Sequence, residues 1–142
     1  MKKLLITGAS GYLGSALVKH FSEKCSLIKV VHKDGKEEEI VAELTDEDEV
    51  KDLSKTFSPD CILHAAGRKA QICERDPESA LVNVLVSEFL TRYFPSTFIY
   101  FFSSDFVFDG ERGNYAETDS PNPLTIYGKS KLQAEQAYDL SK

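Results

Sequence analysis

No stretch of the 142-residue sequence concentrates lysine and arginine, and the formal charge is −6. A phosphate backbone would meet a mostly repulsive field, so nucleic acid is not expected as a partner. Cysteine is scarce: Cys25, Cys61 and Cys73 are an odd number without metal-ligand spacing. They read as free, small buried side chains in a reducing compartment, neither a disulfide framework nor a metal centre. Long apolar runs are also missing. A membrane helix needs roughly 20 apolar residues, and the run that begins after Met1-Lys2-Lys3 is cut by Thr7-Gly8 before the apolar core of a signal peptide is complete. A cytoplasmic protein without membrane contact is the expectation. Internal repeats, low-complexity tracts and linkers are lacking too. With 42% hydrophobic residues, the chain holds material for one core, and residues 1–142 are expected to form one domain.

What is present starts at the N-terminus. Leu4-Leu5-Ile6 runs into Thr7-Gly8-Ala9-Ser10-Gly11-Tyr12-Leu13-Gly14, and an amphipathic pattern follows through Ala16, Leu17 and Phe21. Strand, glycine turn and helix are implied. Gly8 permits a sharp turn, Gly11 a close approach of backbone N–H groups to a pyrophosphate, and Gly14 contact between helix and strand. The stretch Gly8, Ser10, Gly11, Tyr12, Leu13 and Gly14 is therefore a candidate nucleotide loop, with the helix N-terminus facing the anion.

Ser26 to Val31 reads as a second strand, followed by His32, Lys33 and Asp34. In folds of this type the end of the second strand meets the adenosine ribose, where an acid bonds the 2′-hydroxyl and a base tolerates a 2′-phosphate. His32 and Lys33 precede the acid, which favours NADP(H) over NAD(H). Asp34 as ribose ligand, or all three pointing into water, are the alternatives. Glu37-Glu38-Glu39 reads as a solvated loop. Residues 40–44 form a short apolar stretch, and Thr45-Asp46-Glu47-Asp48 predicts a capped helix to about Phe57, burying Val50 and Leu53.

Cys61 to His64 reads as a buried parallel strand that opens onto Ala65-Ala66-Gly67, small residues that let something flat approach. His64 is expected to be a satisfied core histidine. Asp76-Pro77 predicts a helix start, with Ala80, Leu81, Val84, Leu85 and Phe89 as the apolar stripe and Asn83 and Ser87 to one side. Thr97 to Phe102 is the most β-prone run, and residues 110–123 predict a long loop. The alternation implies an α/β fold: a Rossmann-like, doubly wound parallel sheet with ligands at the carboxyl ends of its strands.

Tyr127 and Lys131 stand four apart, hence on one helix face, with Asn122-Pro123 as the expected helix start. A phenol is a poor proton donor at neutral pH until a neighbouring ammonium stabilises its phenolate. Ser104, at the end of the preceding strand, offers a hydroxyl for a carbonyl oxygen that gains negative charge.

The order of these features, with Ser103-Ser104-Asp105-Phe106-Val107-Phe108-Asp109-Gly110, Tyr115-Ala116-Glu117-Thr118-Asp119, Pro121 to Lys131 and Glu135, resembles the extended short-chain dehydrogenases/reductases, in the dTDP-4-dehydrorhamnose reductase branch. The resemblance implies that Ser104, Tyr127 and Lys131 are catalytic, with Lys131 also touching the nicotinamide ribose. It implies that Ala65, Ala66 and Gly67 lie along the ribose and pyrophosphate, and that Glu43 and Leu44 lie beside the adenine, where Leu44 is equally well plain core. Asn83 either props the active-site backbone or is an ordinary exposed helix residue. Phe106 replaces a tyrosine often found there. The resemblance further implies reduction of a 4-keto deoxysugar nucleotide, and a homodimer through helices over residues 80–94 and 127–142. A nucleotide-sugar epimerase or dehydratase would reuse the triad, although Asp105 is the only acid beside Ser104. A non-catalytic reading is the regulatory subunit of methionine adenosyltransferase, which looks like the same branch. The family continues into further strands and a substrate-binding lobe, so residues 1–142 are expected to be the N-terminal part of a longer reductase without that lobe.

Overall fold

The computed structural model describes residues 1–138. These divide into two compact units, one of residues 1–67 and 89–102, the other of residues 68–88 and 103 onward.

The first unit holds a five-stranded sheet in the order β3-β2-β1-β4-β5, with every pair parallel. Its strands are β1 (Lys3–Thr7), β2 (Ser26–Val31), β3 (Glu39–Val41), β4 (Cys61–His64) and β5 (Phe98–Phe101). The central strand is apolar on both faces because both are covered. Leu5 lies opposite Ile28 and Ile62, and Leu5, Ile6, Thr7 and Ile62 are almost wholly shielded. Each large aliphatic group buried here contributes about 1.5–3 kcal/mol. On one face, Leu4, Ile6, Ala9, Val31 and Leu63 form a cluster against Leu17, Val18 and Phe21 of α1 (Tyr12–Phe21).

The expected apolar stretch over 40–44 is strand only as far as Val41. Helix α2 (Glu47–Thr56) buries Val50 and Leu53 as predicted, but its cap is Asp46 instead of Thr45. Asp46 Oδ1 accepts from the N–H groups of Asp48 (2.9 Å) and Glu49 (3.3 Å). The helix starts at Glu47, which makes Asp46 the cap position, and the Thr45 hydroxyl donates instead to Glu43 Oε1 at 2.6 Å. Tyr93 anchors the same helix by donating to Glu47 Oε1 at 2.8 Å. His64 is a satisfied core residue, bonded through Nδ1 to Thr7 Oγ1 at 2.8 Å and stacked on Phe101.

In the second unit, α3 (Ala70–Arg75) was not foreseen, and the helix expected at Asp76 begins instead as a 3₁₀ turn, Pro77–Ala80. It continues as α4 (Leu81–Tyr93), of which residues 81–88 belong to this unit. The predicted long loop is present, stiffened by Phe108 stacked on Tyr115 at 4.5 Å and by the Asp109 carboxylate. That carboxylate accepts from the Tyr115 hydroxyl, from Asn122 Nδ2 at 3.0 Å and from Glu111 N–H at 3.1 Å, which together hold its pKa down at about 2. The loop delivers α5 (Ile126–Glu135), which starts at Thr125 and not at Asn122-Pro123. Thr125 Oγ1 accepts from Gly128 N–H at 2.9 Å. Of the helix expected over 127–142, residues 139–142 lie outside the described residues. Among the described residues, no helix is long and apolar enough to cross a membrane.

Candidate functional site

In the first unit, the turn after β1 is built around Gly8, whose φ is +65°. A Cβ there would also stand 2.8 Å from Ala66 Cα and 2.9 Å from Ala66 N, so only glycine lets this turn meet the Ala65-Ala66 segment after β4. Ala66 N–H donates to Thr7 Oγ1 at 3.1 Å and fixes that segment in place. Gly14 packs against the turn, because its Cβ would fall 2.0 Å from the Gly8 carbonyl oxygen. Gly11 is the N-cap of α1 and offers no side-chain cap, and the first turn carries no acidic residue. The amides there are the kind of donors that an anionic group such as a pyrophosphate takes. Ser10, Tyr12 and Leu13 are exposed beside it, Tyr12 almost fully. Ala65 and Ala66 are half-buried, Gly67 is exposed, and Leu44 is buried.

His32 and Lys33 are exposed at the end of β2. Glu43 reaches His32, with Nε2 to Oε2 at 2.7 Å, and Glu43 Oε1 accepts from Thr45 Oγ1 and, at 3.1 Å, from Thr45 N–H. These bonds, the Thr45 hydroxyl foremost, hold the Glu43 carboxyl below its ordinary pKa.

Ser104, Tyr127 and Lys131 all fall in the second unit. Ser104 ends the extended segment before the 3₁₀ turn Asp105–Val107, where its Oγ accepts from Phe106 N–H at 3.2 Å and donates to Asp105 Oδ1 at 3.2 Å. Tyr127 lies in the first turn of α5, its ring edge-on to Phe106 with centroids 5.7 Å apart. The close fit of turn and helix depends on Gly128, where a Cβ would meet the Phe106 carbonyl oxygen at 2.1 Å. Lys131, one helical turn on, is 7% exposed. Burial lowers its pKa to about 8, partly offset by the Glu135 carboxylate.

Several supports surround these residues, of which the sequence offers only Asn83, as one of two alternatives. Glu74 Oε1 of α3 accepts from Tyr127 N–H at 3.0 Å, capping a backbone donor that α5 leaves open. Asn83 is buried, not exposed: its Oδ1 accepts from Arg68 N–H at 2.7 Å and its Nδ2 donates to Ser130 Oγ at 2.9 Å. Ser130 in turn donates to the Tyr127 carbonyl at 2.8 Å, so the residues flanking Tyr127 are tied to the start of the unit. Ser103 donates to Glu135 Oε1. For the contacts of Glu74 and Ser103 no spacing in the sequence gives a signal, because each joins segments far apart in the chain.

Comparison with known proteins adds the following. The family model described as the RmlD substrate binding domain matches residues 1–141. Among curated relatives, "Methionine adenosyltransferase 2 subunit beta" of Danio rerio is 36% identical over 138 residues, covering 95% of this chain and 43% of the relative. A crystal structure of a hypothetical dTDP-4-dehydrorhamnose reductase from Sulfolobus tokodaii superposes with a TM-score of 0.88 at 37% identity, over 96% of this chain and 51% of that one. For dTDP-4-dehydrorhamnose reductase from Bacillus anthracis in complex with NADP, the TM-score is 0.85 at 26% identity, over 96% and 49%. The chain thus spans about half the length of the proteins it matches.

Proposed function

The chain belongs to the RmlD substrate binding domain family, and from that membership we propose that it binds a nicotinamide dinucleotide and forms the N-terminal part of a reductase of 4-keto deoxysugar nucleotides. The observation that carries this reading is α5, on which Tyr127 and the buried, pKa-lowered Lys131 share a face. The cradle of Gly8, Ser10, Gly11, Tyr12, Leu13 and Gly14 holds the pyrophosphate, with Ala65, Ala66 and Gly67 along it. Glu43 and Leu44 border the adenine. Lys33, exposed at the end of β2, favours NADP(H) over NAD(H). The dinucleotide, when bound, supplies the hydride to the carbonyl carbon. Tyr127 gives its phenolic proton to the carbonyl oxygen, the Lys131 ammonium stabilises the phenolate left behind, and Ser104 donates a hydrogen bond to the same oxygen. A second copy, paired through α4 and α5, belongs to the same proposal.

A second reading is supported by the 36% identity to "Methionine adenosyltransferase 2 subunit beta": dinucleotide binding without turnover, in the service of a partner protein. One assay separates the two. The full-length protein is mixed with NADPH and a dTDP-4-keto-deoxysugar, and cofactor oxidation is followed. Reduction is expected, and Tyr127→Phe should abolish it while leaving NADPH affinity nearly unchanged, because the phenol acts only when a proton moves. Binding without oxidation by the wild type favours the partner reading. Near-normal turnover by Tyr127→Phe refutes the proton assignment.

A further inference from the structure

Resting on the dinucleotide reading above, we infer that Glu43 sets the discrimination between NADP(H) and NAD(H), by holding His32 and withholding it from a 2′-phosphate. The placement comes from strand pairing. Ala42 N–H donates to the Val31 carbonyl at 2.9 Å, so the end of β3 is fastened to the end of β2, and the residues that follow, Glu43 and His32, meet. The end of β2 is where this class of fold reads the adenosine ribose, an acid bonding the 2′-hydroxyl and a base receiving a 2′-phosphate.

Glu43 is not a loose surface acid. Its Oε1 accepts two bonds from Thr45, at 2.6 Å from the hydroxyl and 3.1 Å from the backbone, and its own N–H donates to Glu49 Oε2 at 2.7 Å. That leaves Oε2 aimed at His32 Nε2, 2.7 Å away. A neutral imidazole has one N–H, and here it is given to Glu43. The ring nitrogen left over, Nδ1, is an acceptor. A phosphate offers only acceptors, so the two cannot bond, whereas a ribose 2′-hydroxyl can donate to Nδ1. A protonated ring fares little better, since the Glu43 charge beside it offsets its own and repels the phosphate directly. His32 as held therefore serves the unphosphorylated dinucleotide, and Lys33 is the cation left for NADP(H). A sequence that offers two bases to the phosphate presents one.

The test measures dissociation constants, not turnover. NADPH and NADH are titrated at fixed salt into the wild type, Glu43→Gln, His32→Ala and the double variant. Removing the charge one side chain away from a phosphate should strengthen NADPH binding about tenfold in Glu43→Gln and raise the ratio of NADPH to NADH affinity with it. His32→Ala alone should change NADPH affinity by less than about threefold, yet in the Glu43→Gln background it should remove most of the gain. Thr45→Val, which loosens the carboxylate without deleting it, should shift the ratio in the same direction by less, and it decides the question if Glu43→Gln is not recovered folded. An unchanged NADPH-to-NADH ratio in Glu43→Gln overturns the inference, as does a tenfold loss of NADPH affinity in His32→Ala alone. Binding of neither dinucleotide by the wild type overturns the dinucleotide reading, and this inference with it.

Discussion

Gly128→Ala tests the join between the Tyr127 helix and the turn that carries Ser104. The added Cβ would stand 2.1 Å from the Phe106 carbonyl oxygen, 3.0 Å from its carbon and 3.1 Å from Pro123 Cβ, which is about 1 Å too close to the oxygen. A flexible side chain could move aside, but this obstacle is backbone. The turn that bears it is closed by Val107 N–H to the Ser104 carbonyl (3.2 Å) and Phe108 N–H to the Asp105 carbonyl (2.9 Å), and Asn122 N–H holds the Val107 carbonyl at 2.9 Å. Two terms compete. Replacing glycine inside a helix favours the variant by about 1 kcal/mol, whereas overpacking against a well-held site costs about 1–3 kcal/mol and more when backbone must shift. The rigid contact wins, for a net loss of about 2 kcal/mol and a melting temperature lower by roughly 5–8 °C. Urea unfolding with an unchanged m-value measures it. Gly113→Ala serves as the control, because nothing lies within 4 Å of its Cβ and only its φ of +76° is strained; its loss should be about 1 kcal/mol. A Gly128→Ala protein as stable as the wild type, or more stable, refutes the close approach of Phe106 to α5.

Lys131→Met should stabilise the protein at pH 7 by about 1–3 kcal/mol, because it removes a buried ammonium. The folded pKa of about 8 lies below the ordinary lysine value of 10.5, so the wild type gains stability as pH rises between them, and its deficit against the variant should close in denaturant titrations from pH 7 to 10. Asp46→Ala should cost about 1 kcal/mol by uncapping α2, read as a lower urea midpoint; Thr45→Ala should spare the cap. Asp109 contributes stability that is complete above the ordinary carboxylate value of 3.8 and is lost as pH falls toward about 2. Followed by circular dichroism, Asp109→Asn should lack that segment of the acid-unfolding curve.

The glycine spacing, the apolar runs and the helical stripes were enough to place four of the five strands, α1, the glycine turn after β1 and Tyr127-to-Lys131 on one helix, because each is a local pattern whose period is fixed by backbone geometry, whereas β3 begins at Glu39, inside an acidic run that reads as a solvated loop. Partners between distant segments are another matter. Glu74 and Tyr127 stand 53 residues apart, and Asn83 and Ser130 47 apart, and no spacing rule pairs them. Asn83 turned inward because a buried network could satisfy both ends of its amide, a condition set by neighbours and not by its own helix position. The cap of α2 fell to Asp46 because the helix starts at Glu47, which sets the open N–H groups of Asp48 and Glu49 against the Asp46 carboxylate. The pairing of His32 with Glu43 depended on the register of β2 against β3. Residue type and order determined which chemistry the chain carries, whereas the tertiary structure decided which of its charges are free to use it, since a charge already satisfied by a neighbour is withdrawn from any ligand.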